Sequence, residues 1–245
     1  MRDTSLANDR TLQYKPPHAQ DTVFEVTVVY FRAGYSPDDY RSADDWKARL
    51  QIERSRAIKC PSVLTQLSGC KKIQQVLATP DSPHLRKFLP DAEEAGKVLE
   101  TFAPIYPMDD SPPGQEAKKF ARDPRSAKSF VLKPQREGGG NNIYRSAIPE
   151  FLKKTPETQW PAYILMEMIE PPVRRNVILR NSEVQRGGVI CELGVYGVCL
   201  WRHSNGEILE NSEAGYLLRT KGDQSEEGGV AAGFGAVDSC CLVDS

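Results

Sequence analysis

The sequence lacks the familiar signatures of nucleotide and metal sites. It contains neither the G-x-x-x-x-G-K-[ST] phosphate loop nor the G-x-G-x-x-G dinucleotide turn. Its six cysteines form no C-x-x-C pair and have no companion histidine spacing, which argues against a zinc site or a thioredoxin-type redox centre. We therefore expect reduced, mostly buried thiols.

Charge and hydrophobicity exclude further classes of protein. The 32 basic and 33 acidic residues leave a net charge of -1, so no overall field attracts nucleic acid or an anionic membrane, and neither is expected as a partner. No apolar run approaches the roughly 20 residues of a membrane-spanning helix. The polar N-terminus MRDTSLANDR is unlike a secretory signal, which predicts a cytoplasmic protein.

The first hundred residues predict one strand followed by helices. Residues 23–31 (VFEVTVVYF) are short and rich in β-branched and aromatic side chains, which predicts a largely buried strand. Ser42 is a good N-cap for a helix that carries Trp46, Leu50 and Ala57 near one face and that Pro61 ends. Further helices are predicted around 62–78 and 91–103.

A Pro- and Asp-rich segment, YPMDDSPPG at 106–114, predicts a loop or domain joint. We therefore divide the chain into residues 1–105 and 106–245. The second part predicts a helix ending near Ser126, the strand SFVLKP, a loop, and an interrupted helix that contains Pro149. Strands are then expected at 162–169, 175–180 and 187–202, the last with a bend or hairpin, which favours an antiparallel sheet and an α+β fold.

The segment FVLKPQREGGGNN, residues 130–142, is the strongest candidate for a phosphate-binding loop. Three consecutive glycines suit a backbone that must adopt positive φ or approach a ligand closely. Backbone N–H groups in such a turn bind anions, Lys133 adds a point charge, and Glu137 can ligate Mg²⁺. The alternative is a plain surface turn, and the spacing alone does not name the phosphate donor.

Several residues elsewhere can complete such a site. Met166 and Ile169 could bracket a purine, and Glu192 in an apolar strand needs a donor, a metal or a ribose hydroxyl if it is buried. Each alone has a simpler alternative, namely two core side chains and an outward-facing glutamate. Arg219 and Lys221 in LLRTK precede the glycine-rich segment 222–236, which suggests a lid over an anionic substrate or, alternatively, a solvated turn.

In order along the chain, VVYFRAGY, ERSRAIKCP, QLSGCKKIQQ, FVLKPQREGGGNNIY, YILMEMIEP, ELGVYGV, LLRTK and GGVAAG resemble the eukaryotic-type glutathione synthetase family from about Val23 onward. The resemblance implies an incomplete ATP-grasp fold with part of an α/β substrate-binding domain. It also implies an ATP- and Mg²⁺-dependent ligation of glycine to γ-glutamylcysteine through an acyl phosphate, giving glutathione, ADP and phosphate.

The same resemblance assigns roles to individual residues. It implies that Lys133 and Arg219 act in catalysis and that Glu137 ligates magnesium. The implied ATP contacts are Lys71, Lys133, Pro134, Gln135, Arg136, Glu137, Gly138, Gly139, Gly140, Asn141, Asn142, Tyr144, Met166, Glu167, Met168, Ile169, Glu192, Lys221 and Glu227. The implied substrate contacts are Arg32, Ala33, Gly34, Tyr35, Arg219, Val230 and Ala231.

The chain is expected to hold about the C-terminal half of a family member. The family is homodimeric, but its dimer-forming helices, further magnesium ligands and several dipeptide contacts are expected from the other half. Two hypotheses follow: an ATP-dependent peptide ligase, or a non-catalytic nucleotide-binding remnant that needs a separate N-terminal half. Core strands that are left uncovered predict poor solubility of the isolated chain.

Overall fold

The computed structural model describes residues 3–19, 21–135, 140–180, 182–226, 229–230, 233 and 235–240. Within these ranges the helices are α1 (Ala43–Arg54), α2 (Val63–Ser68), α3 (Lys71–Ala78), α4 (Ala92–Leu99), α5 (Pro112–Arg122) and α6 (Ala147–Lys154). The strands are β1 (Thr4–Leu6), β2 (Leu12–Tyr14), β3 (Phe24–Val26), β4 (Val28–Tyr30), β5 (Ile58–Cys60), β6 (Ile105–Pro107), β7 (Phe130–Pro134), β8 (Ile143–Tyr144), β9 (Tyr163–Glu167), β10 (Arg174–Arg180), β11 (Glu183–Trp201), β12 (Ile208–Gly222) and β13 (Ala236–Asp238). This mixture of helices and sheets confirms the α+β class.

The central sheet, defined as β6-β9-β7-β8, is antiparallel throughout and holds the main core. Because strand side chains alternate between faces, Phe130, Leu132 and Leu165 pack on one face against α5 and α6. On the opposite face Ile164 packs with Ile105 and with Ala78 of α3. The sheet is therefore covered on both sides, and the predicted boundary between residues 105 and 106 falls inside β6.

The hairpin sheet, defined as β10-β11-β12-β13, is also antiparallel, as the sequence predicts. The predicted third strand is one strand of 19 residues, with no hairpin inside it, that pairs with β12 and has irregularities after Tyr196 and Leu200. LLRTK lies in β12, so its interpretation as a turn is wrong. On one face of β12, Thr220 is buried and its hydroxyl donates to Asp238 Oδ2 at 2.7 Å.

Helix α1 begins as predicted but buries a different side chain. Ser42 and Asp45 form a reciprocal capping box at its N-terminus. Trp46 and Leu50 are about half exposed, at 50% and 49%, whereas Arg49 is buried. The Arg49 guanidinium lies 3.8 Å from the centroid of the Phe31 ring, and a cation–π contact there is favourable. Trp46 and Leu50 share a face of α1, as predicted, but this is not the face that the helix buries.

Several predicted boundaries in the first half are also wrong. Helix α1 ends at Arg54, so Ala57 lies outside it and Pro61 follows strand β5 instead of ending the helix. The strand predicted at 23–31 is divided into β3 and β4, which belong to different small sheets and are largely exposed. Both strands lie at sheet edges, where few other elements cover them.

Other elements differ in extent. The helix predicted over 62–78 is split into α2 and α3 at Gly69 and Cys70, and that predicted over 91–103 is the shorter α4. The segment 106–114 is not simply a loop, because it contains most of β6 and the start of α5, whose N-cap is Ser111. Helix α5 ends at Arg122, and α6 runs uninterrupted with Pro149 in its first turn, where no backbone N–H donor is required.

The prediction of mostly buried cysteines is wrong for the described residues. Cys60, Cys191, Cys199 and Cys240 are exposed and Cys70 is half-buried, and all five are free thiols. Cys241 lies outside the described residues. Across the described part of the chain, no helix has both the length and the apolar character needed to cross a bilayer.

Candidate functional site

Lys133 projects from the face of the central sheet that also contacts α3. It lies opposite Ile164 in the register of β7 and β9, and its Nζ is 3.2 Å from Met166 Sδ. Two buried neighbours in β7, Val131 and Leu132, anchor the strand. The structure therefore brings together two of the side chains predicted to contact ATP, one cationic and one apolar.

The start of α3 adjoins the loop that follows β7. Lys71 is the first residue of α3, and the backbone N–H of Lys72 donates to Gln135 Oε1 at 3.0 Å. The Lys72 ammonium lies 3.6 Å from Asp109 Oδ2. Burial alone would raise the pKa of Asp109, but hydrogen bonds from Ser111 and the charge of Lys72 lower it. A carboxylate thus neutralises one of the two adjacent lysines.

The glycine loop returns to the sheet through β8. Arg136, Glu137, Gly138 and Gly139 lie outside the described residues. Gly140 has φ +86°, in the left-handed region that favours glycine, and a Cβ there would meet no heavy atom within 4 Å. Asn141 follows, and Asn142 Nδ2 then donates to Tyr144 Oη at 3.1 Å, which holds the exit of the loop against β8.

The end of β9 separates residues that the sequence places together. Alternation turns the Glu167 side chain to the face opposite Lys133, where it accepts a hydrogen bond from Tyr106 Oη at 3.2 Å. Burial, together with the charge of Glu167, raises the pKa of Tyr106 to about 12. The Met168 N–H donates to the Ser129 carbonyl at 2.8 Å, and Ile169 is 64% exposed. The Glu167 side chain and Lys133 therefore lie on opposite faces of the central sheet.

A second charged group lies on the hairpin sheet. Glu192 of β11 is opposite Arg219 of β12, and its Oε2 is 2.8 Å from a guanidinium nitrogen of Arg219. Its Oε1 is 3.4 Å from Lys221 Nζ, which also donates to the Glu226 carbonyl at 3.2 Å. Arg219 and Lys221 are two residues apart on one strand and so share a face. The Glu192 carboxylate thus has the cationic partners that a carboxylate needs when it is buried.

The turn predicted to bind substrate lies after β4. Gly34 has φ +80°, and its carbonyl accepts a hydrogen bond from Tyr40 Oη at 2.8 Å. The neighbouring Tyr35 carbonyl accepts from Gln66 Nε2 at 2.8 Å. Gln66 belongs to α2, which leads directly into α3, so the turn from Arg32 through Ala33 to Tyr35 is linked to the element that adjoins the glycine loop.

Part of the glycine-rich segment after β12 is also described. The Val230 carbonyl accepts the Gly233 N–H at 3.0 Å. Glu227 and Ala231 lie outside the described residues. No three His, Cys, Asp or Glu side chains of the described ranges lie close enough together to hold a metal ion. The proposed magnesium ligand, Glu137, is not within those ranges.

One residue that the sequence interpretation missed joins the two sheets. Arg145, directly after β8, donates to Glu226 beyond β12 and to the carbonyl of Lys128 before β7. No motif or periodicity distinguishes this arginine from other surface arginines. Only the fold brings residues 145 and 226 together.

Comparison with known proteins places the sequence in a family. Residues 7–242 match the family model for the eukaryotic glutathione synthase ATP-binding domain. The chain belongs to the eukaryotic glutathione synthetase family. Among similar proteins, the glutathione synthetase large chain of Schizosaccharomyces pombe is 43% identical over 235 residues, and the glutathione synthetase of Xenopus laevis is 46% identical over 223 residues. The family resemblance drawn from the motifs is confirmed.

The chain spans about half the length of these glutathione synthetases. The aligned regions cover 96% and 90% of this chain but 46% of each relative. Human glutathione synthetase is 43% identical over 218 residues, and the aligned region covers 44% of its length. A solved glutathione synthetase-like effector from Globodera pallida in its apo form superposes with a TM-score of 0.68 at 21% identity, covering 99% of this chain and 46% of that one. This likeness supports the ATP-grasp-type fold.

Proposed function

We propose that the chain acts in glutathione synthesis as an ATP-dependent ligase that joins glycine to γ-glutamylcysteine. The observation that carries the proposal is that this member of the family has cationic side chains on both of its larger sheets. Lys133 lies on the central sheet, and Arg219 and Lys221 lie together on the hairpin sheet. Cations on two separate sheets suit a polyanion such as ATP that lies between them.

The reaction needs activation of a carboxylate. In the proposed first step, the cysteinyl carboxylate oxygen attacks the γ-phosphorus of ATP, the bond from that phosphorus to the bridging oxygen breaks, and ADP leaves. The glycine amine then attacks the acyl carbon, a C–N bond forms, the C–O bond to phosphate breaks, and the amine proton passes to phosphate or solvent. Such chemistry requires positioning and charge stabilisation more than a nucleophilic side chain.

The chain's own residues suit these needs. Lys133 is proposed to bind a transferring phosphate oxygen, with Lys71 close to the same loop. Arg219 is proposed to pair with the reacting carboxylate, because a planar guanidinium binds carboxylates in two places. Lys221 is proposed to bind the nucleotide phosphates, and the Arg32–Tyr35 turn to hold the dipeptide.

Magnesium is proposed at Glu137, together with phosphate oxygens and water. When bound, it would neutralise charge on the phosphates, and its preference for oxygen ligands suits a carboxylate beside a phosphate loop. A single carboxylate leaves much of an octahedral shell to other ligands, so other protein ligands are expected outside this chain.

A second candidate function is nucleotide binding without independent ligation. The observation that favours it is the exposure of large apolar side chains on the β11–β12 ribbon. Leu193, Val195, Leu200, Ile208 and Tyr216 are all at least 42% exposed. A surface of this kind is typical of an interface with another polypeptide. The proposed partner is a chain equivalent to the remaining half of the relatives.

The decisive experiment measures turnover by the purified chain. ATP, Mg²⁺, γ-glutamylcysteine and glycine are supplied, and ADP and glutathione are followed together, with glycine omitted as a control. Glutathione formation by the chain alone would support the first function. Formation only after co-expression with the complementary half would support the second. If neither preparation hydrolyses ATP or forms glutathione, ligation is refuted.

Nucleotide binding is tested separately with Lys133→Met, which removes the charge but retains a long apolar side chain. Losing one charge-assisted contact of about 1.5–3 kcal/mol predicts at least a tenfold weaker affinity for ATP, measured by calorimetry. The matched control is Lys153→Met, because Lys153 is an exposed lysine on α6 that pairs with Glu150 at 2.6 Å. Equal affinities for both variants would refute the proposed role of Lys133.

A further inference from the structure

Arg145 is the centre of a cluster that links the two sheets. Its Nε is 3.0 Å from Glu226 Oε1, and its Nη1 is 2.7 Å from the Lys128 carbonyl oxygen. The same Nη1 is 3.4 Å from Glu170 Oε1. Lys128 precedes β7, Glu170 follows β9, and Glu226 follows β12, so one guanidinium contacts the ends of three strands. A lysine ammonium could not reproduce this geometry, because it lacks the planar array of donors.

The backbone at Arg145 is held in an uncommon conformation. Its φ of +50° lies in the left-handed region, which is unfavourable for a side chain with a Cβ. The Arg145 N–H donates to the Phe130 carbonyl at 3.0 Å, and the Arg145 carbonyl accepts the Ile148 N–H at 3.0 Å. Such a conformation persists where surrounding contacts determine it. The residue is therefore rigidly attached to the central sheet, and its side chain projects from a defined position.

Glu226 connects this arginine to the candidate nucleotide site. Its carboxylate accepts from Arg145, while its backbone carbonyl accepts from Lys221 Nζ at 3.2 Å. Lys221 is held in turn by Glu192 at 3.4 Å. A short series of contacts thus runs from the central sheet through Glu226 to the cationic group on β12.

We propose that Arg145 and Glu226 form a clasp that sets the position of the hairpin sheet, and so of Lys221, relative to Lys133 on the central sheet. This inference rests on the proposed nucleotide site for its functional consequence, although the clasp itself exists without ligand. Arg145 is a positioning residue, because it acts through Glu226 and Lys221. Its effect is to reduce the entropy lost when a nucleotide binds across both sheets.

A charge-reversal cycle on the 245-residue chain tests the clasp. The variants are Arg145→Glu, Glu226→Arg and the double variant, and ATP affinity is measured by calorimetry. Each single reversal replaces attraction by repulsion and is expected to weaken ATP binding by about three- to tenfold, in line with partly exposed ion pairs. The double variant restores opposite charges at this pair but not the donation to Lys128 or the contact with Glu170, so it is expected to bind ATP more tightly than either single variant and to recover only part of the affinity.

The sign of the Glu226→Arg effect distinguishes the clasp from a general electrostatic effect. Adding positive charge near an anionic ligand strengthens binding if only the field matters, whereas loss of the clasp weakens it. The control is Arg202→Glu, which reverses a similar pair, Arg202 to Glu207 at 3.0 Å, within a single hairpin. That variant is expected to change ATP affinity less than the charge-matched Arg145→Glu.

Amide exchange without nucleotide gives an independent measurement. The Ser225 N–H donates to the Gly222 carbonyl at 3.0 Å, so its exchange rate reports opening of the turn that carries Glu226. Both single reversals should raise this rate by about three- to tenfold, and the double variant should exchange more slowly than either single variant. Unchanged exchange, or tighter ATP binding by Glu226→Arg, would overturn the clasp. If the unmodified chain binds no ATP, the nucleotide site is refuted while the exchange data still decide the clasp.

Discussion

Replacement of Glu192 by glutamine tests the charge balance of the hairpin sheet. The substitution keeps the shape of the side chain but removes the negative charge between Arg219 and Lys221. In the structure one carboxylate contacts both cations, at 2.8 and 3.4 Å. Without it, two positive groups on one face of β12 face each other with only a neutral amide between them.

The size of the effect follows from spacing and exposure. Residues two apart on a strand are separated by about 6.6 Å, at which two unit charges repel by roughly 2.5 kcal/mol with an effective dielectric constant of 20. The side chains of Glu192 and Arg219 are 35% and 42% exposed, but that of Lys221 is only 12% exposed. Partial exposure reduces the repulsion, so Glu192→Gln is expected to lower the free energy of unfolding by about 1–2 kcal/mol.

Denaturant unfolding at low and high salt measures this loss. Because the Debye length falls to about 3 Å at 1 M salt, most of the destabilisation should disappear there. Tripolyphosphate should stabilise the variant more than the unmodified chain, because an anion can take the place of the missing carboxylate between the two cations.

The matched control is Glu207→Gln, which removes the partner of Arg202 at the end of the hairpin. Only one, well-exposed cation remains there, so a loss below about 0.5 kcal/mol is expected. A loss at Glu192 that equals the control, or one that is independent of salt, would show that the two cations do not depend on this carboxylate.

Four further changes test hydrogen bonding and packing in the fold. The pKa of Tyr106 is raised from 10 to about 12. Its neutral form therefore stabilises the fold fully below pH 10, and this contribution is lost as the pH rises through 12. Tyr106→Phe should flatten that part of the curve of stability against pH. A Cβ on Gly114 would clash with the Asp109 carbonyl oxygen, so Gly114→Ala should cost about 1–3 kcal/mol in denaturant unfolding. Gly96→Ala on α4, where nothing lies within 4 Å, should instead stabilise by about 0.5–1 kcal/mol. Arg49→Met removes a buried guanidinium and its salt bridge, and a loss of about 2 kcal/mol is expected by thermal unfolding.

Local patterns predicted the two inner strands of the central sheet, β7 and β9, well. SFVLKP and YILMEMI combine a strong strand composition with a short length, and both form buried strands close to the predicted residues. The N-cap at Ser42 was equally clear, because its capping box depends only on residues close in sequence. Features that depend on neighbours three or four residues away can be inferred from sequence alone.

Burial in the first half could not be predicted in the same way. VFEVTVVYF has the composition of a core strand, yet β3 and β4 pair in small sheets with little above them. The apolar face expected for α1 gave way to Arg49, whose contact with Phe31 joins residues distant in sequence. Composition reports how readily a strand forms, whereas burial depends on which other elements pack against it.

The directions of the side chains at the site could be predicted only in part. Strict alternation in β9 already implies that Met166 and Glu167 face opposite sides, but the sequence does not show which side carries Lys133. That information comes from the register of β7 with β9, in which Lys133 lies opposite Ile164. The pairing of Arg145 with Glu226 spans 81 residues and both sheets, so no local pattern could reveal it.

The two sheets differ in how far this chain alone completes them. The central sheet has a closed core in which Met108, Leu132, Ile148 and Leu165 are fully buried. The far part of the β11–β12 ribbon has only two strands and exposes apolar side chains on both faces, and such ribbons have little stability alone. Lys133 therefore lies on a core that this chain supplies, whereas the face that carries Arg219 depends partly on surfaces that the chain leaves uncovered. ATP binding through Lys133 should accordingly survive in the isolated chain under conditions in which ligation does not.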